Sequence, residues 1–251
     1  IIGLFSYNLL IITLFFLPLI AFFKINPIKK ILCFTFILIT ILASYIFGNY
    51  EINKNKKKLN KIDEKIFVKI ISPNFDLEYN LNQNQIKERL KKLIRYSDPS
   101  KEQKTLFIWP EGVFSGYSYN EVLVFKNLIS KNFTDKHLII FGTNTLDLES
   151  GNYYNSMLLV DNNFEIIKSY NKRKLVPFGE FLPLENLLNK FGLKKITEGQ
   201  GSFLKGTKKN NLKIDKLNIL PLICYETIFT DLVQKSSKET NLIVNISEDG
   251  W

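Results

Sequence analysis

The chain has 251 residues, 45% hydrophobic and 23% charged, with a formal net charge of +10 at pH 7. Its two cysteines, Cys33 and Cys224, cannot build the disulfide framework of a small secreted domain, and one histidine, His137, excludes His-rich metal sites. The positive balance is lysine, since Arg89, Arg95 and Arg173 are the only arginines, so the arginine forks that read nucleic acid are missing and no nucleic-acid partner is expected.

From the start, Ile1 to Phe23 carries no charge, and neither does Ile31 to Gly48. At about 1.5 Å per residue each run approaches the roughly 30 Å of hydrocarbon in a bilayer. Residues 1–48 are therefore expected to hold two transmembrane helices, the end of a larger membrane domain, with Pro18 tolerated inside the first. Lys24, Lys29 and Lys30 between the runs suit a cytoplasmic connector, which would put the rest of the chain outside; the lysines after Gly48 pull the other way. Residues 49–65 read as a charged linker. The start at Ile1 without a methionine and the stop at Trp251 behind an apolar run lead us to expect a piece lacking both ends.

From Ile66 to Trp251 strand and helix signals alternate. Strands are expected at Phe67–Ser72, Thr105–Trp109, Leu138–Gly142, Ser156–Val160, Ile166–Tyr170, Ile219–Cys224 and Leu242–Ile246. Helical faces are formed by Ile86, Leu90, Leu93 and Ile94, by Val122, Phe125 and Ile129, and by Ile228, Leu232 and Val233. Asp161-Asn162-Asn163 reads as a hairpin turn. The pattern predicts a layered α/β domain around a largely buried sheet.

Three strand ends carry candidate chemistry. Cys224 ends a strand and opens a helical pattern, a position that stabilises a thiolate but also suits a small buried residue. Glu111 follows the strand ending at Trp109, on the sheet rim where α/β sites form, or is a solvated loop acid. Lys172 follows the strand ending at Tyr170, in a setting of aromatic, Pro-Gly and acidic residues; elsewhere a lysine here would be surface charge. A thiol, a carboxylate and an ammonium can run acyl transfer without histidine, the carboxylate taking the thiol proton and the ammonium stabilising the oxyanion. His137 begins a strand at the end away from this rim and is a poor base, while Cys33 is packing.

Glu111 in Trp-Pro-Glu, Lys172 in Tyr170-x-Lys-x-x-Leu-Val-Pro-Phe-Gly-Glu180 and Cys224 in Cys-Tyr-Glu resemble the Glu-Lys-Cys triad of the nitrilase, or carbon-nitrogen hydrolase, superfamily. The Leu175-to-Phe181 run, Tyr154-Asn155-Ser156 and the apolar helices ahead of the domain resemble, within it, the apolipoprotein N-acyltransferase family. The resemblance implies an αββα sandwich on the periplasmic side of a bacterial inner membrane, in a multi-pass, monomeric protein. Cys224 would take a fatty acyl chain from a phospholipid as a thioester and pass it, ping-pong, to the amine of a diacylglyceryl-cysteine lipoprotein. It further implies Glu111 as base, Lys172 as oxyanion stabiliser, Glu180 and Glu226 as supports, and Trp109 and Tyr225 lining the site, with no metal or organic cofactor. Two departures stand out: Glu248 replaces the amide of the family's Asn-Asp-Ala-Trp-Phe, and its Lys-Trp pair is missing after Pro73-Asn74. A membrane-tethered amidase with the same triad and a lipid-binding module with a dead triad are the competing readings. The piece alone is expected to be inactive and poorly stable, its sheet faces being incompletely covered.

Overall fold

The computed structural model describes residues 4–59, 66–76, 78, 81–184, 202–208, 211–234 and 239–248. The chain divides into two units, Ile1–Lys65 and Ile66–Trp251.

In the first unit, helix α1 spans Leu4–Phe16, and a 3-10 helix follows at Leu17–Phe22. Pro18 has no N–H to give an α-helical bond, so the expected single helix to Phe23 tightens at that point. Helix α2 runs Pro27–Leu59, with proline in its first turn and the Asn26 side chain accepting the Ile28 N–H at 2.9 Å. The Lys30 ammonium donates back to the Ala21 carbonyl at 2.9 Å. The expectation of a linker from residue 49 is corrected here: α2 continues through 49–59, a stretch without proline or glycine and with a Glu51–Lys54 pair at 3.1 Å. Residues 60–65 lie outside the described residues. Among those described, one helix, Pro27–Lys56, is long and apolar enough to cross a membrane, the apolar helix Tyr7–Phe22 being shorter. Of the two apolar runs expected to span, one thus forms a helix of spanning length among the described residues.

The second unit holds two sheets. Strands β1 (Phe67–Ile70), β2 (Thr105–Ile108), β3 (His137–Leu146), β4 (Tyr153–Val160) and β5 (Ile166–Asn171) form one sheet in that order. The first three are parallel and the last three antiparallel. Strands β6 (Leu212–Ile214), β7 (Leu217–Ile223) and β8 (Leu242–Ile246) form the other, with β7 and β8 parallel. Strand β6 is absent from the sequence-based expectation because it is three residues long with a lysine at its centre.

Alternation along each strand separates the layers. Leu106 and Ile108 face the second sheet and meet Ile219, Ile223, Val244 and Ile246. Phe107 and Trp109 point the other way, into a core shared with helix α3 (Gln83–Ser97). On the far side, Leu220 and Leu222 of β7 pack against Leu232 of a short helix at Thr230–Gln234. The layers are therefore α, β, β, α, as the resemblance implies.

The Asn82 side chain caps α3 by accepting the Gln85 N–H at 3.0 Å, and Gln85 returns the bond to the Asn82 N–H at 2.9 Å. The helix expected around Val122–Ile129 is divided into Tyr119–Val122, a 3-10 turn and Lys126–Asn132. The hairpin turn at Asp161 forms, its carboxylate accepting the Asn163 and Glu165 N–H groups at 2.9 and 2.8 Å. His137 is buried, its ring nitrogens bonded to the Thr134 N–H and the Ser100 carbonyl.

Leu90, on the buried face of α3, is 1% exposed, whereas Leu148 between β3 and β4 is 86% exposed. Leu90→Ala is expected to cost about 2–5 kcal/mol and Leu148→Ala less than about 0.5 kcal/mol. Chemical denaturation of the two variants checks the contrast.

Candidate active site

The sheet topology brings Glu111, Lys172 and Cys224 together. Strands β2 and β5 run in the same direction, so Glu111, just beyond β2, and Lys172, just beyond β5, emerge on one rim. Pro110 ends the β2 ladder, and Glu111 crosses over Gly142 of β3. A Cβ at Gly142 would lie 2.9 Å from the Glu111 Cα and 3.0 Å from the Ile246 side chain, so only glycine admits this crossing. In the other sheet, Ile223 pairs with Ile246 in parallel register, which sets Cys224 beside Ser247. The Ser247 hydroxyl donates to the Cys224 sulfur at 3.7 Å.

Lys172 is the centre of charge. Its side chain is 2% exposed, and its ammonium lies 2.8 Å from Glu180 Oε1 and 3.9 Å from Glu111 Oε1. The Asn155 amide donates to both carboxylates, at 2.8 Å to Glu111 and 2.9 Å to Glu180. The Val176 N–H donates to the other Glu180 oxygen at 2.9 Å. Sequence reasoning did not assign a role to Asn155 or Ser247. A polar residue inside the buried strand Tyr153–Val160, and a serine ending a strand parallel to that of Cys224, were the available signals.

Glu226 acts from a distance. Fully buried, its carboxylate accepts the Tyr170 hydroxyl at 2.9 Å and the N–H groups of Arg173, Lys174 and Ile223 at 2.7, 2.9 and 3.0 Å. It thereby ties the segment after Lys172 to the elbow that carries Cys224. That elbow is strained: Cys224 has φ 51, uncommon outside glycine, as the chain turns from β7 into a 3-10 helix at Cys224–Ile228.

The implied lining role of Trp109 is corrected. Its indole is fully buried on the helix side of the sheet and donates to the Ser97 hydroxyl at 2.9 Å. Tyr225 is 40% exposed and packs edge-on against Phe229, while its backbone N–H works to lower the Cys224 thiol pKa.

Burial pushes the Glu111 carboxyl up to about 7, opposed by the Lys172 charge and the Asn155 bond and reinforced by Glu180 and Glu248. Burial alone would lower Lys172, but Glu111 and Glu180 raise it overall, so the ammonium stays charged. The Cys224 thiol is raised by burial and by Glu111, against Ser247, Lys172 and the Tyr225 N–H. A thiol held protonated at rest, next to a carboxylate poised near neutrality, suits proton transfer on demand.

The pH dependence has a definite sign. Because folding raises the Glu111 pKa, its contribution to stability is full below its ordinary value and fades as pH rises through about 7. If Glu111 serves as the base, an acylation rate moves oppositely, gaining as its carboxyl ionises. The burst of p-nitrophenol from an acyl ester should rise through about pH 7 and fall roughly 10²–10⁴-fold in Glu111→Gln, which lacks that limb. Lys172→Met strands two carboxylates in the interior and is expected to cost about 3–5 kcal/mol, read by thermal unfolding.

Residues 72–251 match the carbon-nitrogen hydrolase family. The chain is similar to apolipoprotein N-acyltransferase of Rhodopseudomonas palustris, 29% identical over 84% of this chain and 41% of that protein. It is also similar to that of Wigglesworthia glossinidia brevipalpis, 31% identical over 98% of this chain and 48% of that protein. The chain thus spans less than half the length of these curated relatives. Among solved structures, it is similar to a carbon-nitrogen hydrolase from Helicobacter pylori G27, with 13% identity, TM-score 0.49, and 72% and 59% of the two chains covered. With the family matched over residues 72–251, well over half of its length, the chain belongs to the carbon-nitrogen hydrolases.

Proposed function

We propose that the protein is an acyltransferase of lipoprotein maturation, moving a fatty acyl chain from a phospholipid to the N-terminal amine of a diacylglyceryl-cysteine lipoprotein. The observation that carries this reading is the meeting of Glu111, Lys172 and Cys224 at one rim. The similarity to apolipoprotein N-acyltransferases and the apolar helix Pro27–Lys56 direct it towards a lipid donor at a membrane. The catalytic unit would sit on the periplasmic side of the inner membrane.

In the first half, Glu111 takes the Cys224 proton as sulfur attacks the ester carbonyl. Lys172 and the backbone N–H of Tyr225 face the negative charge that develops on the carbonyl oxygen. The C–O bond breaks, Glu111 returns the proton to the departing alkoxide, and a lysophospholipid leaves. In the second half, the acceptor amine forms the N–C bond while the C–S bond breaks. Its proton passes through Glu111 to the sulfur, restoring the thiol. Glu180 and Glu226 hold Lys172 and the Cys224 elbow in register.

Incubating the full-length protein with phospholipid in micelles is expected to add a fatty-acyl mass that hydroxylamine removes and that Cys224→Ala lacks. Ammonia released from small amides, with no acyl increment, would instead identify a membrane-tethered amidase. A folded protein with neither signal would be a lipid-binding module.

A further inference from the structure

Glu111 opens onto a cavity of about 100 Å³ whose walls include Asn74, Phe75, Arg89, Gly112 and Glu248. It has room for a small polar group. Glu248 stands one residue beyond Ser247, at the end of β8, and its carboxylate folds over Gly112. Gly112 has φ 70, and a Cβ there would overlap that carboxylate, so the backbone makes way for it. Among the described residues Glu248 accepts no hydrogen bond and forms no ion pair.

The nearest cation does not satisfy it. Arg89 is 8% exposed and directs its guanidinium to the Asp76 carbonyl at 2.8 Å and the Glu78 carboxylate at 3.4 Å, lying over the Phe75 ring at 4.8 Å. Arg89 acts on Glu248 through space only, and burial still raises the Glu248 carboxyl. The cavity therefore presents a carboxylate that is unpaired among the described residues, beside Glu111. A carboxylate half out of water gains most from a ligand that brings both charge and N–H donors. A primary ammonium does both, and its pKa of about 8 keeps it charged near neutrality.

We propose that Glu248 selects the acceptor, binding the ammonium of the incoming amine in the cavity beside Glu111. This deepens the acyltransferase reading and rests on it. Glu111 accepts the surplus proton of the bound ammonium and releases it to solvent, and the neutral amine then attacks the thioester as described above. Glu248 is a binding residue for the second half-reaction and reaches the first only through its charge, which helps hold the Glu111 carboxyl up.

The test separates the halves in the full-length protein, using a synthetic diacylglyceryl-cysteinyl peptide with a free amine as acceptor. In Glu248→Gln, KM for the peptide is expected to rise about 10- to 100-fold. Thioester formation without acceptor, measured well above pH 7 where Glu111 is ionised with or without Glu248, and its release by hydroxylamine should stay within about twofold, which also shows the variant to be folded. Glu248→Asp should recover most of the peptide affinity. An unchanged KM, or a loss of thioester formation in step with transfer, overturns the proposal. If the wild-type protein forms no thioester, the acyltransferase reading itself falls, a result distinct from an intact thioester with unchanged KM.

Discussion

The geometry of the site depends on one buried ammonium. Lys172 is almost completely removed from water and stays charged only because Glu180 and Glu111 lie against it. A buried cation with two carboxylates leaves a surplus of negative charge, and burial resolves it by lifting Glu111 towards neutrality. The Asn155 amide, shared between the two carboxylates, fixes their separation. The same charge balance that lets the interior tolerate Lys172 thus leaves a carboxyl that ionises near neutrality, the strength that the proposed base requires.

A second constraint keeps the thiol where that base can use it. Left-handed backbone at a cysteine costs of order 1–3 kcal/mol and must be held by its surroundings. Glu226 supplies the hold, binding the N–H of Ile223 before the elbow and those of Arg173 and Lys174 after the lysine. Cys224 and Lys172 come from different sheets, and this one carboxylate joins their segments. The packing of Ile223 and Ile246 beneath them makes the joint rigid.

Much of this was legible in the sequence. Glu111, Lys172 and Cys224 each follow an apolar strand, and parallel ends of buried strands share a rim, so their meeting could be read from periodicity and motif. Alternation by itself predicted a layered α/β domain around a largely buried sheet, and the αββα order was implied by the family resemblance. Other features depend on tertiary contacts that leave no periodic trace. The resemblance implied Trp109 as a lining residue from its place in the Trp-Pro-Glu motif, yet alternation along β2 sends it to the opposite face, where Ser97 completes its hydrogen bond. Asn155 is one polar residue in an apolar strand, and only the register of β4 against β5 shows that it bridges two carboxylates. At the N-terminus, hydrophobicity gave the apolar runs but not their geometry: Pro18 converts one helix to a tighter form, and a charged stretch continues α2 where composition suggested a linker.

The fold gathers Glu111, Lys172 and Cys224 at one rim, and the cavity beside Glu111 is where we propose that the acceptor is selected. The most direct test of the central claim is an infrared titration of the Glu111 carboxyl, isolated as the difference between the native protein and Glu111→Gln. The account predicts that the protonated carbonyl band disappears with a midpoint near pH 7 and that the midpoint moves higher in Lys172→Met. A Glu111 already ionised at pH 5, or a midpoint indifferent to Lys172, would contradict it.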